Sequence, residues 1–94
     1  MFILTVTYTV PLDQVDPHVP PHMDWVNEGY ERGLFLASGR KTPRTGGVIL
    51  AKGERAEIEE MIARDPFVTA NVGQYEIAEI AVSRTIDGLE ALAD

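Results

Sequence analysis

The chain contains no cysteine. That excludes a disulfide framework and a thiolate zinc site, and it suits a reducing compartment such as the cytoplasm, where we expect the protein. Positive charge is scarce: eight lysines and arginines face fifteen aspartates and glutamates, a formal charge of −7. A nucleic-acid surface needs clustered cations to displace counterions, so no nucleic-acid partner is expected. Nowhere do about 18–20 apolar residues run together, so no membrane-spanning helix is expected. The first residues, Met1-Phe-Ile-Leu-Thr-Val6, have neither the basic flank nor the cleavage site of a signal peptide and read directly as a strand. Repeats, low-complexity tracts and linkers are missing as well.

What remains is an ordinary globular composition, 94 residues with 45% hydrophobic and 24% charged side chains. A domain of this size buries roughly 60–70% of its unfolded surface, so its core is thin and association with a second copy would help it.

Hydrophobic periodicity orders the chain. Phe2 to Val10 alternates with period two, a strand that Pro11 ends. Leu12 to Pro21 carries three further prolines and two aspartates and reads as a loop. From Pro21 to Gly33 the period changes: His22, Trp25, Val26 and Gly29 form one helical stripe. Leu34 to Ser38 is a short second strand, Gly39 to Arg44 a basic turn, and Thr45 to Lys52 a third strand. Within the third strand Gly46-Gly47 marks a bulge or a close approach to the backbone. Glu54 to Arg64 is a second helix, with Ile58, Met61 and Ile62 on its apolar stripe and glutamates in its first turns. Pro66 stops it, Phe67 to Asn71 is an irregular turn, and Gln74 to Ser83 is the fourth strand. Residues 1–83 thus form one domain, and 84–94 a tail able to form a short helix.

The order β-α-β-β-α-β is the split pattern of a ferredoxin-like α+β fold, a four-stranded antiparallel sheet with two helices on one face. The strands are apolar on both faces, since Ile3, Phe35, Ile49 and Ile77 alternate with Leu4, Leu36, Leu50 and Ile80. A sheet open to water on one side should alternate more strictly. A homodimer, its two sheets packed through the open faces as an α+β barrel, is therefore expected.

Right-handed crossovers bring five distant features to one end of such a sheet: His22, Ser38, the Arg40/Lys41/Arg44 turn, Gly46-Gly47 and Asp65. Asp65 follows the stripe of the second helix toward the sheet, where a carboxylate must be paired. It also precedes proline, the signature of an N-cap, and the two readings are compatible, since one carboxylate oxygen can cap while the other faces the cleft. His22 is either a structural residue or, with a carboxylate on one ring nitrogen, a base near neutral pH. The basic turn is either a solvated hairpin or the rim of a pocket, where Arg40 and Arg44 suit an anion. Ser38 can donate to a substrate oxygen or satisfy its own hairpin, and without an adjacent base it is a poor nucleophile. Pro20-Pro21 between His18 and His22 argues against both histidines on one helix, and no metal site is expected. His18 is expected to be exposed. Thr45-Gly46-Gly47 lacks the spacing and the lysine of a phosphate loop.

The segments His22-Met-Asp-Trp-Val-Asn-Glu-Gly29, Leu36-Ala-Ser-Gly39, Thr45-Gly-Gly-Val-Ile-Leu50 and Asp65-Pro-Phe-Val-Thr-Ala70 resemble the YciI-like family of the dimeric α+β barrel superfamily. The resemblance runs from Met1 to about Val82. It implies a ferredoxin-like subunit, a homodimer and an active site built on a His–Asp pair, which maps onto His22 and Asp65. One relative eliminates chloride from a hydroxyquinol, which implies lyase-type chemistry without a cofactor. Arg40 stands where the family pattern has proline, and the tail beyond Ser83 is longer than the family core.

The function expected is a homodimeric acid–base enzyme of lyase, isomerase or hydrolase type, without metal or organic cofactor. His22 and Asp65 would be catalytic, and Ser38, Arg40 and Arg44 would hold a small anionic or phenolic molecule. A non-catalytic ligand-binding homodimer is the alternative, and a cofactor-free oxygenase would demand a larger apolar pocket.

Overall fold

A computed structural model describes residues 1–93. Its sheet is built from β1 (Phe2–Tyr8), β2 (Phe35–Arg40), β3 (Gly46–Ala51) and β4 (Gly73–Glu79), in the order β2-β3-β1-β4. Every pairing is antiparallel. The helices are α1 (Leu12–Val15), α2 (Val19–Glu31), α3 (Arg55–Arg64) and α4 (Pro66–Thr69). The long helices α2 and α3 cover one face. Trp25 and Val26 of α2, with Ile58 and Met61 of α3, join Phe2, Leu4, Phe35, Ile49 and Ala51 of the sheet in one core. This is the expected ferredoxin-like α+β architecture. No described helix is long and apolar enough to cross a membrane.

The segment read as a loop before Pro21 is largely helical. After α1, a 3-10 turn at Asp16–His18 leads straight into α2, which starts at Val19. Pro20 and Pro21 fit in its first turn because backbone N–H groups there have no intrahelical partner to lose. The prolines therefore do not separate His18 from the helix: His18 is its half-buried N-cap residue rather than an exposed loop residue. Val15 is fully buried and, with Val6, Phe67 and Val72, forms a second small core beneath this segment.

Boundaries elsewhere shift by a few residues. β2 extends through Gly39 and Arg40, which the sequence reading assigned to the turn, and β4 stops at Glu79. The irregular turn after Pro66 is the single-turn helix α4. In the tail, a 3-10 turn spans Glu90–Leu92, and Lys52 Nζ donates to the Ala93 carbonyl at 2.6 Å.

The two long helices lock together at the end where α3 stops. The last carbonyls of a helix lack an i+4 donor, and the indole N–H of Trp25 supplies one to the Met61 carbonyl at 2.7 Å. Nearby, Arg64 donates to Glu28 at 2.6 Å across the helix pair, an exposed ion pair of small energetic weight. Close packing against the sheet is enforced by Gly29, where a Cβ would lie 2.1 Å from the Phe35 ring. For Gly29→Ala, the gain in helix propensity of about 1 kcal/mol opposes an overpacking cost of about 1–3 kcal/mol. Against a buried ring the second dominates. Urea denaturation should show a net loss of up to about 2 kcal/mol, and raised stability would refute this packing account.

Candidate functional site

α3 ends at Arg64 because Pro66 forces Asp65 out of the helical region, to φ −61° and ψ 126°. That turn makes Asp65 the N-cap of α4, with Pro66 at its first position. Asp65 Oδ1 accepts from the Phe67 N–H at 2.9 Å, the capping bond foreseen from the Asp-Pro pair. The same oxygen lies 2.7 Å from His22 Nδ1. Oδ2, foreseen as facing the cleft, is instead occupied by the Tyr75 hydroxyl, which donates at 2.6 Å. The carboxylate has no solvent exposure at all.

An ionised carboxylate only accepts hydrogen bonds. Its neighbour His22 Nδ1 then donates, and in the neutral imidazole this leaves Nε2 as the acceptor. Nε2 has no hydrogen-bond partner among the described residues, and His22 is part of a cavity wall. Stacking fixes the ring further, with Phe67 at 3.8 Å and nearly parallel and Trp25 at 5.4 Å. The constraints come from two places: α2 carries the ring and Trp25, and the Asp65-Pro66-Phe67 corner supplies the acid and the closer stacking partner.

The cavity measures about 440 Å³, in the range of small-molecule sites. Val6, Val26, Ile49 and Phe67 supply apolar wall, while His22, Ser38 and Arg40 supply polar groups. The pairing of β2 with β3 slips by one residue at Leu36, between Phe35↔Ala51 and Ala37↔Leu50. After that bulge Ser38 pairs with Ile49 and Arg40 with Gly47, so both lie on the helix-covered face. Strict alternation from Phe35 would have put Ala37 and Gly39 there. Ser38 Oγ lies 2.7 Å from the Tyr30 hydroxyl. Gly46 admits the close approach of β1, since a Cβ there would sit 1.9 Å from the Val6 carbonyl oxygen.

Of the residues singled out by sequence, His22 and Asp65 are bonded, and Ser38 and Arg40 share the cavity wall with His22. Arg44 stands apart from them. Its guanidinium binds Asp16 at 2.7 Å and lies over the Tyr8 ring at 5.8 Å. No group of three or more His, Asp or Glu side chains able to hold a metal occurs among the described residues.

A family model for the YCII-related domain matches residues 1–82. The chain belongs to that family. The fold of this YCII-related protein is similar to that of 5-chloro-2-hydroxyhydroquinone dehydrochlorinase from Burkholderia phenoliruptrix, solved in complex with 2,5-dihydroxybenzoquinone. The two are 14% identical with a TM-score of 0.66, and the likeness covers 85% of this chain and 93% of the other. No curated protein sequence matches significantly.

Sequence reasoning missed Tyr75. Alternation along β4 puts it beside Val6 on the helix-covered face, but nothing in the spacing shows a phenol reaching Asp65. Trp25 and Phe67, read as ordinary core, are also the flanks of the His22 ring. Burial first, then the Asp65 charge and hydrogen bond, raise the Tyr75 pKa well above its usual 10.0. The folded state thus keeps a proton that the unfolded chain releases above about pH 10. Stability from Tyr75 is complete below that pH and declines as pH rises beyond it. Tyr75→Phe should lower stability at pH 7 by about 1–3 kcal/mol, by leaving a buried acceptor short of a donor. It should also flatten the alkaline decline, as read by urea titrations at pH 7 and above 10. An unaltered alkaline limb would contradict the assignment.

Proposed function

We propose that the protein is a small-molecule enzyme of lyase type in which His22 is the general acid/base and Asp65 its orienting partner. One observation carries this reading: His22 Nδ1 is tied to a fully buried carboxylate while Nε2 is left unpaired at a mostly apolar cavity. That arrangement fixes the tautomer, orients the ring and stabilises the imidazolium formed when Nε2 takes a proton. The substrate is a small anionic or phenolic molecule, held by Ser38 and Arg40. The structural likeness to a dehydrochlorinase favours elimination over isomerisation or hydrolysis. In such a step Nε2 removes a proton, the released electron pair forms the new double bond, and the leaving group departs with its own pair. His22 then returns the proton to solvent. No step requires a metal or an organic cofactor.

The active form is a homodimer. Half-buried Ile3, Val48 and Leu50 lie on the sheet face opposite α2 and α3, and a second copy would shield them.

Two measurements test these points. Purified protein should release halide from members of a panel of halogenated hydroxyquinols and halogenated hydroxybenzoates, and His22→Asn should slow turnover by about 10²–10⁴-fold with its circular dichroism retained. Turnover surviving that change, or absent across the whole panel, would sink the catalytic reading. Leu50→Glu should convert the dimer to a monomer in sedimentation experiments, and a wild-type protein that sediments as a monomer would refute the association.

A further inference from the structure

Nearly every cation of the chain is engaged. Arg32 and Arg64 bind Glu28, Arg44 binds Asp16, and Arg55 binds Glu59 and Glu79. Lys41 reaches the Thr7 hydroxyl and Lys52 the Ala93 carbonyl. Among the described residues only Arg84, on the tail, and Arg40 have no protein partner. Arg40 belongs to the wall of the His22 cavity. The chain carries fifteen acidic residues, yet none of the described ones pairs with it.

We propose that Arg40 is the anion anchor of this cavity and that the ligand class is a monocarboxylate borne on a single ring or similarly compact apolar body. The proposal rests on the reading of this cavity as the substrate site and adds which end of the ligand is charged and what binds it. Three observations carry it. The bulge at Leu36 turns Ser38 and Arg40 together onto the cavity side, two residues apart on one strand. The guanidinium offers a planar fork matched to a carboxylate. Ser38 lines the cavity and its hydroxyl pairs with that of Tyr30, so with Tyr30 donating, the Ser38 proton is available to a ligand oxygen.

The rest of the wall sets the body of the ligand. Val6, Val26, Ile49 and Phe67 offer no charge, so the part of the molecule between Arg40 and His22 is apolar. A phosphate dianion would bring more charge than one guanidinium and one hydroxyl can match. A neutral ring would leave Arg40 unpaired and gain nothing from it. Arg44, paired with Asp16, is not part of the cavity wall and adds no second cation there.

Isothermal titration with benzoate and its uncharged isostere benzamide tests the assignment. The wild-type protein should bind benzoate about tenfold or more tightly than benzamide at low salt, with the gap narrowing as salt is added. R40Q should bring the two within about twofold, R40K should restore part of the gap, and R84Q, on the tail away from the cavity, should leave it in place. Equal binding by the wild type, a preference that survives R40Q, or no binding of either probe would overturn the proposal. A preference that holds while no acid–base turnover is found removes the catalytic reading and leaves the anchor. Turnover that depends on His22 without any benzoate preference does the opposite.

Discussion

A carboxylate shut away from water has to be satisfied by the protein, and Asp65 is such a carboxylate. Desolvating an unpaired charge costs many kcal/mol, whereas each hydrogen bond to a charged group contributes about 1.5–3 kcal/mol. Asp65 therefore persists only with several donors in place. It has three: a ring N–H from α2, a backbone N–H from α4 and a phenol from β4. Those donors come from elements up to 43 residues away. Satisfying one charge draws three parts of the chain to a point, and the orientation of His22 follows.

The surrounding apolar groups complete that arrangement. Phe67 is carried on α4, the single turn that Asp65 itself caps, and it stacks on the ring that Asp65 holds by hydrogen bond. One local corner, Asp65-Pro66-Phe67, thus supplies both the polar and the apolar grip on His22. Along β2 the polarity of the cavity wall is set by strand register. A single bulged residue exchanges alanine and glycine for serine and arginine on the cavity side, giving the site a charged group besides its base.

Much of this was legible from residue order. Period-two alternation marked β1, short apolar runs between turn signals marked the other strands, and the three-four spacing marked the helices, because those periods follow from which face meets the core. The α+β topology followed from their sequence, and topology placed His22 near Asp65. The helical lead-in to α2 was hidden by its prolines, although Val15, Val19, His22 and Val26 continue one helical stripe through them. Proline weighs against a helix in general but not in a first turn, and that exception overrode the usual reading. Arg44 was grouped with Arg40 because both lie in one basic turn. Sequence proximity does not show that Asp16 and the Tyr8 ring would take one of the two.

The amino-acid order by itself determined the four strands and the two long helices, their succession, the acidic balance and the Asp-Pro cap, because these depend on local sterics and on apolar periodicity. Tertiary structure alone decided the rest. It recruited Tyr75 to the acid, left Nε2 of His22 without a partner, and turned Arg40 rather than Gly39 toward the cavity. Such features depend on distances between residues remote in the chain and on a one-residue slip in pairing. Neither is encoded in any local pattern, since both emerge only once a buried charge and a packed core compete for the same small space.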